Sequence, residues 1–120
     1  MPTETSTQTT VQACMEMADA VAPNAVPVTV KLRWLGELEG KVLVELFDES
    51  PAATRAITAS NVTSARLTVP HPFDQIYWMY LVAMIHYAGG QSERYEQAAA
   101  LFNAAYRDFA KWQKRKGGVQ

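Results

Sequence analysis

Cysteine is nearly absent from this chain. Cys14 stands alone, which excludes an intrachain disulfide and leaves no thiolate cluster for a metal. Histidine is almost as scarce: His71 and His86 belong to neither an HExxH pattern nor a Cys/His ligand spacing, so no metal site is expected. Long apolar runs are missing as well. The longest, Ile76 to Ile85, covers about half of what a bilayer requires, and no membrane association is expected. The opening MPTETSTQTT has neither the basic start nor the apolar stretch of a secretion signal, which predicts synthesis in a cytoplasm. Asn61-Val62-Thr63 matches a glycosylation acceptor, but without such a signal it reads as chance. An excess of either charge is lacking too. At a net −1, bulk electrostatics do not make the molecule a nucleic-acid binder.

What is present is the balance of an ordinary globular domain. With 120 residues, 48% hydrophobic and 19% charged, the chain is long enough to bury one core without staples. The expected architecture is mainly α: a four-helix bundle with a short β-hairpin or extended insertion between helices two and three. Residues 1–8 are expected to form a mobile N-terminal tail, 9–113 the helical domain and 114–120 a C-terminal tail.

Taken in order, Thr9 or Thr10 can cap a short first helix that ends near Ala22, with Val11, Cys14 (or Met15), Ala18 and Val21 on one side. Pro23 and Pro27 bracket a non-helical connector. The second helix is expected from Pro27 or Val28 to Phe47. Its buried stripe is Leu32, Leu35, Leu38 with Val42, Leu43 and Leu46, with Trp34 beside it; Glu37, Glu39, Lys41 and Glu45 fall on the exposed face. Gly36 and Gly40 form a GxxxG pair that, among these charges, reads as close packing rather than a membrane motif. Asp48 to Pro51 stop the helix. Over about 52–69 β-branched residues and partial alternation predict a hairpin, with strands near Arg55–Ala59 and Ala65–Val69.

Pro72 can open the third helix at its first position, with Asp74 in the first turn, and Ala88-Gly89-Gly90 closes it. Phe73, Tyr77, Tyr80, Leu81 and Met84 make one stripe; Ile76, Met79 and Ala83 a second; Trp78, Val82 and Ile85 a third. A helix apolar on every side must be covered on every side, by the other helices and by a second subunit if they do not suffice. The last helix, Gln91 to Lys116, carries Tyr95, Ala98, Ala99, Phe102, Ala105, Tyr106, Phe109 and Trp112 at spacings of three and four, and ends in Lys111, Lys114, Arg115 and Lys116. The short Gly89–Ser92 connection folds helices three and four into an antiparallel hairpin.

No catalytic constellation emerges, and no cofactor is expected. Cys14, near Met15 and Met17, reads as a small core residue rather than a nucleophile. Glu37 and Glu39 point in different directions, and Glu16 with Asp19 reads as solvated charge. Gly89-Gly90 lacks a phosphate-binding spacing. The chain is therefore read as a non-enzyme. The basic tip suits a helix C-terminus by itself. It also makes a handle for an acidic protein surface or, as the alternative reading, for nucleic acid in a small helical binding or regulatory module. The acidic stretch Glu37 to Ser50 reads as an opposite pole, which suits head-to-tail association.

Three segments, LRWLGELEGKV at 32–42, VPHPFDQIYWMYLVAMIHYAGGQSERY at 69–95 and LFNAAYRDFAKW at 101–112, resemble the small head–tail connector (neck or adaptor) proteins of tailed bacteriophages. The matching positions are Arg33, Trp34, Leu35, Leu38, Glu39 and Gly40, then Pro72, Tyr77, Tyr80, Leu81, Ala83 and Ile85. In the last helix they are Glu93, Tyr95, Asn103, Ala104, Ala105, Tyr106, Asp108, Phe109 and Trp112. Residues 50–66 and the Thr-rich start do not match. The resemblance implies a structural virion protein, made in the host cytoplasm and residing in the virion neck. Subunits of such adaptors form a ring, usually of twelve, beneath the portal protein. The ring extends the channel through which genomic DNA passes without sequence-specific binding, and it docks a tail-side neck or tail-completion protein. By the same analogy Lys111, Trp112, Lys114, Arg115 and Lys116 are candidate portal contacts. Trp34, Glu37, Glu39, Arg55, Arg66 and Trp78 are candidate subunit-interface residues.

Overall fold

The third helix is the axis on which the domain is built. In the computed structural model, which describes residues 8–50 and 66–118, this helix is α3, Gln75–Ala88. Every residue from Ile76 to His86 is at least partly buried, with Ile76, Tyr77 and Leu81 sealed completely. Its cover comes from α1 (Val11–Val21), α2 (Val28–Leu46) and α4 (Ser92–Gly118). The remaining elements are two short strands, β1 (Gln8–Thr10) and β2 (Arg66–Pro70). The fold is thus mainly helical, with four helices and one small antiparallel sheet among the described residues.

Local chemistry explains most of the boundaries. The Thr10 hydroxyl caps α1 by accepting from the Ala13 amide at 3.2 Å, satisfying one of the free donors of the first turn. Ala22 closes the helix by donating a hydrogen bond from its backbone amide to the Ala18 carbonyl, and Pro23 prevents continuation. Between the prolines Asn24 ties the connector together: its side-chain amide donates to the Asp19 carboxylate and the Ala22 carbonyl, and its oxygen accepts from the Val26 amide, each at 2.9 Å. The Pro27 carbonyl then receives the Val30 and Lys31 amides at the start of α2. At the other end of α2, Asp48 takes a left-handed conformation (φ 59°), which an Asx side chain tolerates.

Strand β2 lies between α2 and α3, where an extended insertion was expected, and it pairs with β1 ahead of α1. Gln8 faces Pro70 and Thr10 faces Arg66, with an irregularity between them. The Gln8 side chain donates to the Thr68 carbonyl and Arg66 Nη1 to the Gln8 carbonyl, at 3.3 and 2.9 Å. The strand expected near Arg55–Ala59 lies outside the described residues. Gln8, placed in the tail by its polarity, belongs to β1.

Helix α3 begins three residues later than its proline implies. His71–Asp74 form a turn, closed by the Phe73 amide on the Pro70 carbonyl, and Pro72 follows a cis bond inside it. Pro72 is therefore not the first helical residue, and Asp74 is the N-cap. Gly89 and Gly90 end the helix, Gly90 at φ 72°, and the Gln91 amide folds back onto the His86 carbonyl. Helix α4 returns antiparallel along α3 and runs through Gly118, two residues past the Lys116 end expected for it, so Lys114–Lys116 are helical.

The α3–α4 seam is aromatic. Phe109 is wholly buried and sits in a cluster with Phe73, Phe47 and Trp112, at ring distances of 5.4, 6.3 and 6.0 Å. Tyr80 meets Phe102 at 5.2 Å and Tyr87 meets Tyr95 at 5.4 Å further along. Burying rings of this size stabilises the fold by roughly 1.5–3 kcal/mol each.

Candidate functional site

The basic tip is built by the last two turns of α4. Lys111, Lys114, Arg115 and Lys116 are exposed, and none takes part in the ion pairs among the described residues. Trp112 differs from them. It is half-buried, 5.2 Å from the Phe73 ring, and carries the Lys116 ammonium 5.1 Å over its own ring. Trp112 thus fixes the tip to the core while the cations around it face solvent.

The acidic end of α2 does not lie at an opposite pole. Glu45, Leu46, Phe47 and Asp48 line a cavity of about 400 Å³ together with Gln113 and Lys114. The Tyr106 hydroxyl donates to Glu45 at 2.9 Å, joining the two helices beside it. Hydrogen bonds from Lys41 and Tyr106 hold the Glu45 carboxyl below its ordinary value. Acidic and basic segments therefore share one end of the molecule. The folding of α4 back along α3 brings them together, and linear charge order does not reveal it.

The candidate interface residues fall into different environments. Trp34 and Trp78 are half-buried against the core. Glu37 is exposed and pairs with Arg33 at 3.3 Å. Arg66 is exposed and bonded to β1. Arg55 lies outside the described residues. Glu39, expected on the exposed face and as an interface residue, is instead 9% exposed and buried within its own chain.

Glu39 forms a polar network that its charge conceals. Oε2 accepts from the Thr68 amide at 2.9 Å and the Thr68 hydroxyl at 2.7 Å, while Oε1 accepts from the Tyr77 hydroxyl at 2.6 Å. The Tyr77 oxygen in turn accepts from the Val69 amide at 3.0 Å. One carboxylate and one phenol thereby bind two consecutive β2 residues to α2 and α3. Burial and the adjacent Glu39 charge both push the Tyr77 phenol far up, so it remains a donor at any physiological pH. A signal existed: Leu32, Leu35, Glu39, Val42 and Leu46 recur at spacings of three and four, placing Glu39 within the buried stripe.

A second buried charge is Lys31, 4% exposed, whose ammonium meets the Asp19 carboxylate at 2.9 and 3.1 Å and Asn24 at 3.4 Å. Burial raises the Asp19 carboxyl, but the hydrogen bonds from Asn24 and Lys31 outweigh it and hold the group below its usual value. Near this cluster a shallow cavity of about 360 Å³ opens between Pro23–Val26 and the α3–α4 turn.

Burial pushes the Cys14 thiol up to about 12, which makes it unreactive as a nucleophile. His86 meets the Gln91 side chain at 2.9 Å, and His71 lies 3.4 Å from Asp74 on the surface. Among the described residues no His/Cys/Asp/Glu group has the geometry to hold a metal, and no helix is long and apolar enough to cross a membrane. No protein-family model, curated protein or solved structure matches this chain.

Proposed function

We propose that this chain is a structural adaptor of the neck of a tailed bacteriophage, one subunit of a ring seated beneath the portal. The resemblance of three segments to such adaptors is the source of this reading. The observation that carries it furthest is the tip of α4, a helical end whose cations face solvent while Trp112 anchors it to the core. Such a tip suits an acidic docking surface, and the portal is the partner the family likeness supplies. The ring itself, usually of twelve subunits, rests on the likeness alone, since the acidic and basic segments share one end of the molecule. In this role the chain performs no catalysis and takes no cofactor. It extends the channel for genomic DNA and offers a surface to a tail-side neck protein.

The experiment is to mix the purified chain with its portal and image the particles. Rings of added density on the tail-facing side of the portal are expected. Absence of association, together with filled, tailed particles after deletion of the chain, overturns the proposal. The alternative reading, a nucleic-acid-binding module using the same cations, predicts that the isolated chain binds DNA with an affinity falling steeply with salt. No binding at low salt removes it.

A further inference from the structure

The outer face of α4 carries its charges in an order that the function above does not use. Glu93, Glu96, Ala100, Ala104, Arg107, Lys111 and Lys114 recur at spacings of three and four, and every one is exposed. They form one stripe, opposite the side buried on α3. Its first two members are acidic, its centre is alanine and its last three are basic. Leu101 flanks the centre and is 63% exposed, among the most exposed large apolar residues described. None of the charged members takes part in the ion pairs within the subunit among the described residues. Arg94 and Asp108, also exposed, flank the stripe with one charge of each sign.

We propose that this face docks a second copy of the chain, the two α4 helices running antiparallel about a two-fold axis between Asn103 and Ala104. In that register Glu93 of each copy faces Lys114 of the other, and Glu96 faces Lys111, each pair formed twice. Arg107 comes opposite Ala100, one turn from the other copy's Glu96. The two ion-pair positions lie roughly 30 Å apart along the helix, so they brace both ends of the contact. At the centre Ala100 and Ala104 allow close approach, and Leu101 of each copy finds apolar cover. A parallel pairing sets acid against acid and base against base, so the charge order selects the antiparallel one. The surface is self-complementary, as a closed dimer requires.

The pairing itself does not depend on the adaptor reading. Combined with it, there is a consequence: Lys111 and Lys114 serve both contacts, so a dimer masks the tip, and portal binding and dimerisation exclude each other.

Sedimentation velocity of the full chain, from low micromolar to near-millimolar concentration, tests the proposal. A monomer–dimer equilibrium that weakens with added salt is expected. Lys111→Glu with Lys114→Glu leaves the face wholly acidic at both ends and is expected to weaken dimerisation at least roughly tenfold. Glu93→Lys with Glu96→Lys is expected to do the same. The fourfold swap restores complementarity and with it the dimer, and an equimolar mixture of the two double variants forms a heterodimer. Ala104→Cys in the otherwise unchanged chain supplies a readout independent of charge: with oxidised glutathione as the oxidant, which is reduced as the two thiols lose their protons and couple, an intersubunit disulfide forms, since the native Cys14 is buried and does not compete. A wild-type chain that stays monomeric throughout, a swap that fails to restore association, or an Ala104→Cys variant that does not cross-link overturns the proposal. None of these measurements involves the portal, so a failure here leaves the adaptor reading standing, and the reverse.

Discussion

At the residue scale the two buried charges dominate. Glu39 accepts three hydrogen bonds and Tyr77 carries one of them onward to the β2 backbone. Tyr77→Phe deletes a hydroxyl that serves both the carboxylate and the Val69 amide, leaving two buried groups unsatisfied. A loss of about 1–3 kcal/mol in urea-unfolding stability is expected. Glu39→Gln should cost a similar amount, because the amide nitrogen would face a donor. Asp19 is the pH-sensitive partner. Its folded-state pKa lies below the unfolded value, so its contribution is present above about pH 4 and lost as pH falls through the folded value. Glu45, held low by Lys41 and Tyr106, acts in the same direction. The melting temperature is thus expected to fall in acid below about pH 4, and Asp19→Asn to flatten part of that fall while lowering stability at neutral pH. A melting temperature independent of pH in this range contradicts the assignment. These charges were hard to read in advance because a Glu or Lys inside an apolar stripe resembles an exposed one until its partner is known. Both partners are distant in sequence: Tyr77 on another helix for Glu39, and Asp19 across the connector for Lys31.

At the scale of elements, what could be read from local chemistry emerged well. The Thr10 cap, the proline-bracketed connector and the Gly89-Gly90 turn each involve groups a few residues apart, and the stripe of α4 is its own periodic signal. Helix α3 starts later than Pro72 alone implies, because a proline fits both a first helical position and a turn. The partner of β2 was unreadable because Gln8–Thr10 is short, polar and nearly sixty residues away. Three predictions belong here. Phe109, wholly buried in its aromatic cluster, should lose about 3–5 kcal/mol on Phe109→Ala. Tyr106→Ala should cost less, about 1–3 kcal/mol, because Tyr106 is only half-buried and its hydroxyl reaches an exposed Glu45. Chemical unfolding of both variants tests this order. Gly90→Ala forces an L side chain into a left-handed turn, and a loss of about 1 kcal/mol is expected despite open space around it.

For the whole molecule, one helix organises the rest. Helix α3 is apolar on all sides because three helices cover it, and that need is met largely within one subunit. The all-round apolar character, for which the other helices or in part a second subunit were the expected cover, therefore does not by itself call for a second subunit. Two exposed surfaces of α4 carry the proposals made above: the tip, proposed to dock a portal, and the striped outer face, proposed to dock a second copy. Binding of this chain to the portal proposed as its partner, before and after Lys114→Glu, Arg115→Glu and Lys116→Glu and with melting temperature followed in parallel, tests the proposed docking. The native chain is expected to bind, and reversal to abolish binding while the melting temperature stays put. A native chain that does not bind, a reversed chain that binds as well, or a reversed chain that unfolds contradicts it.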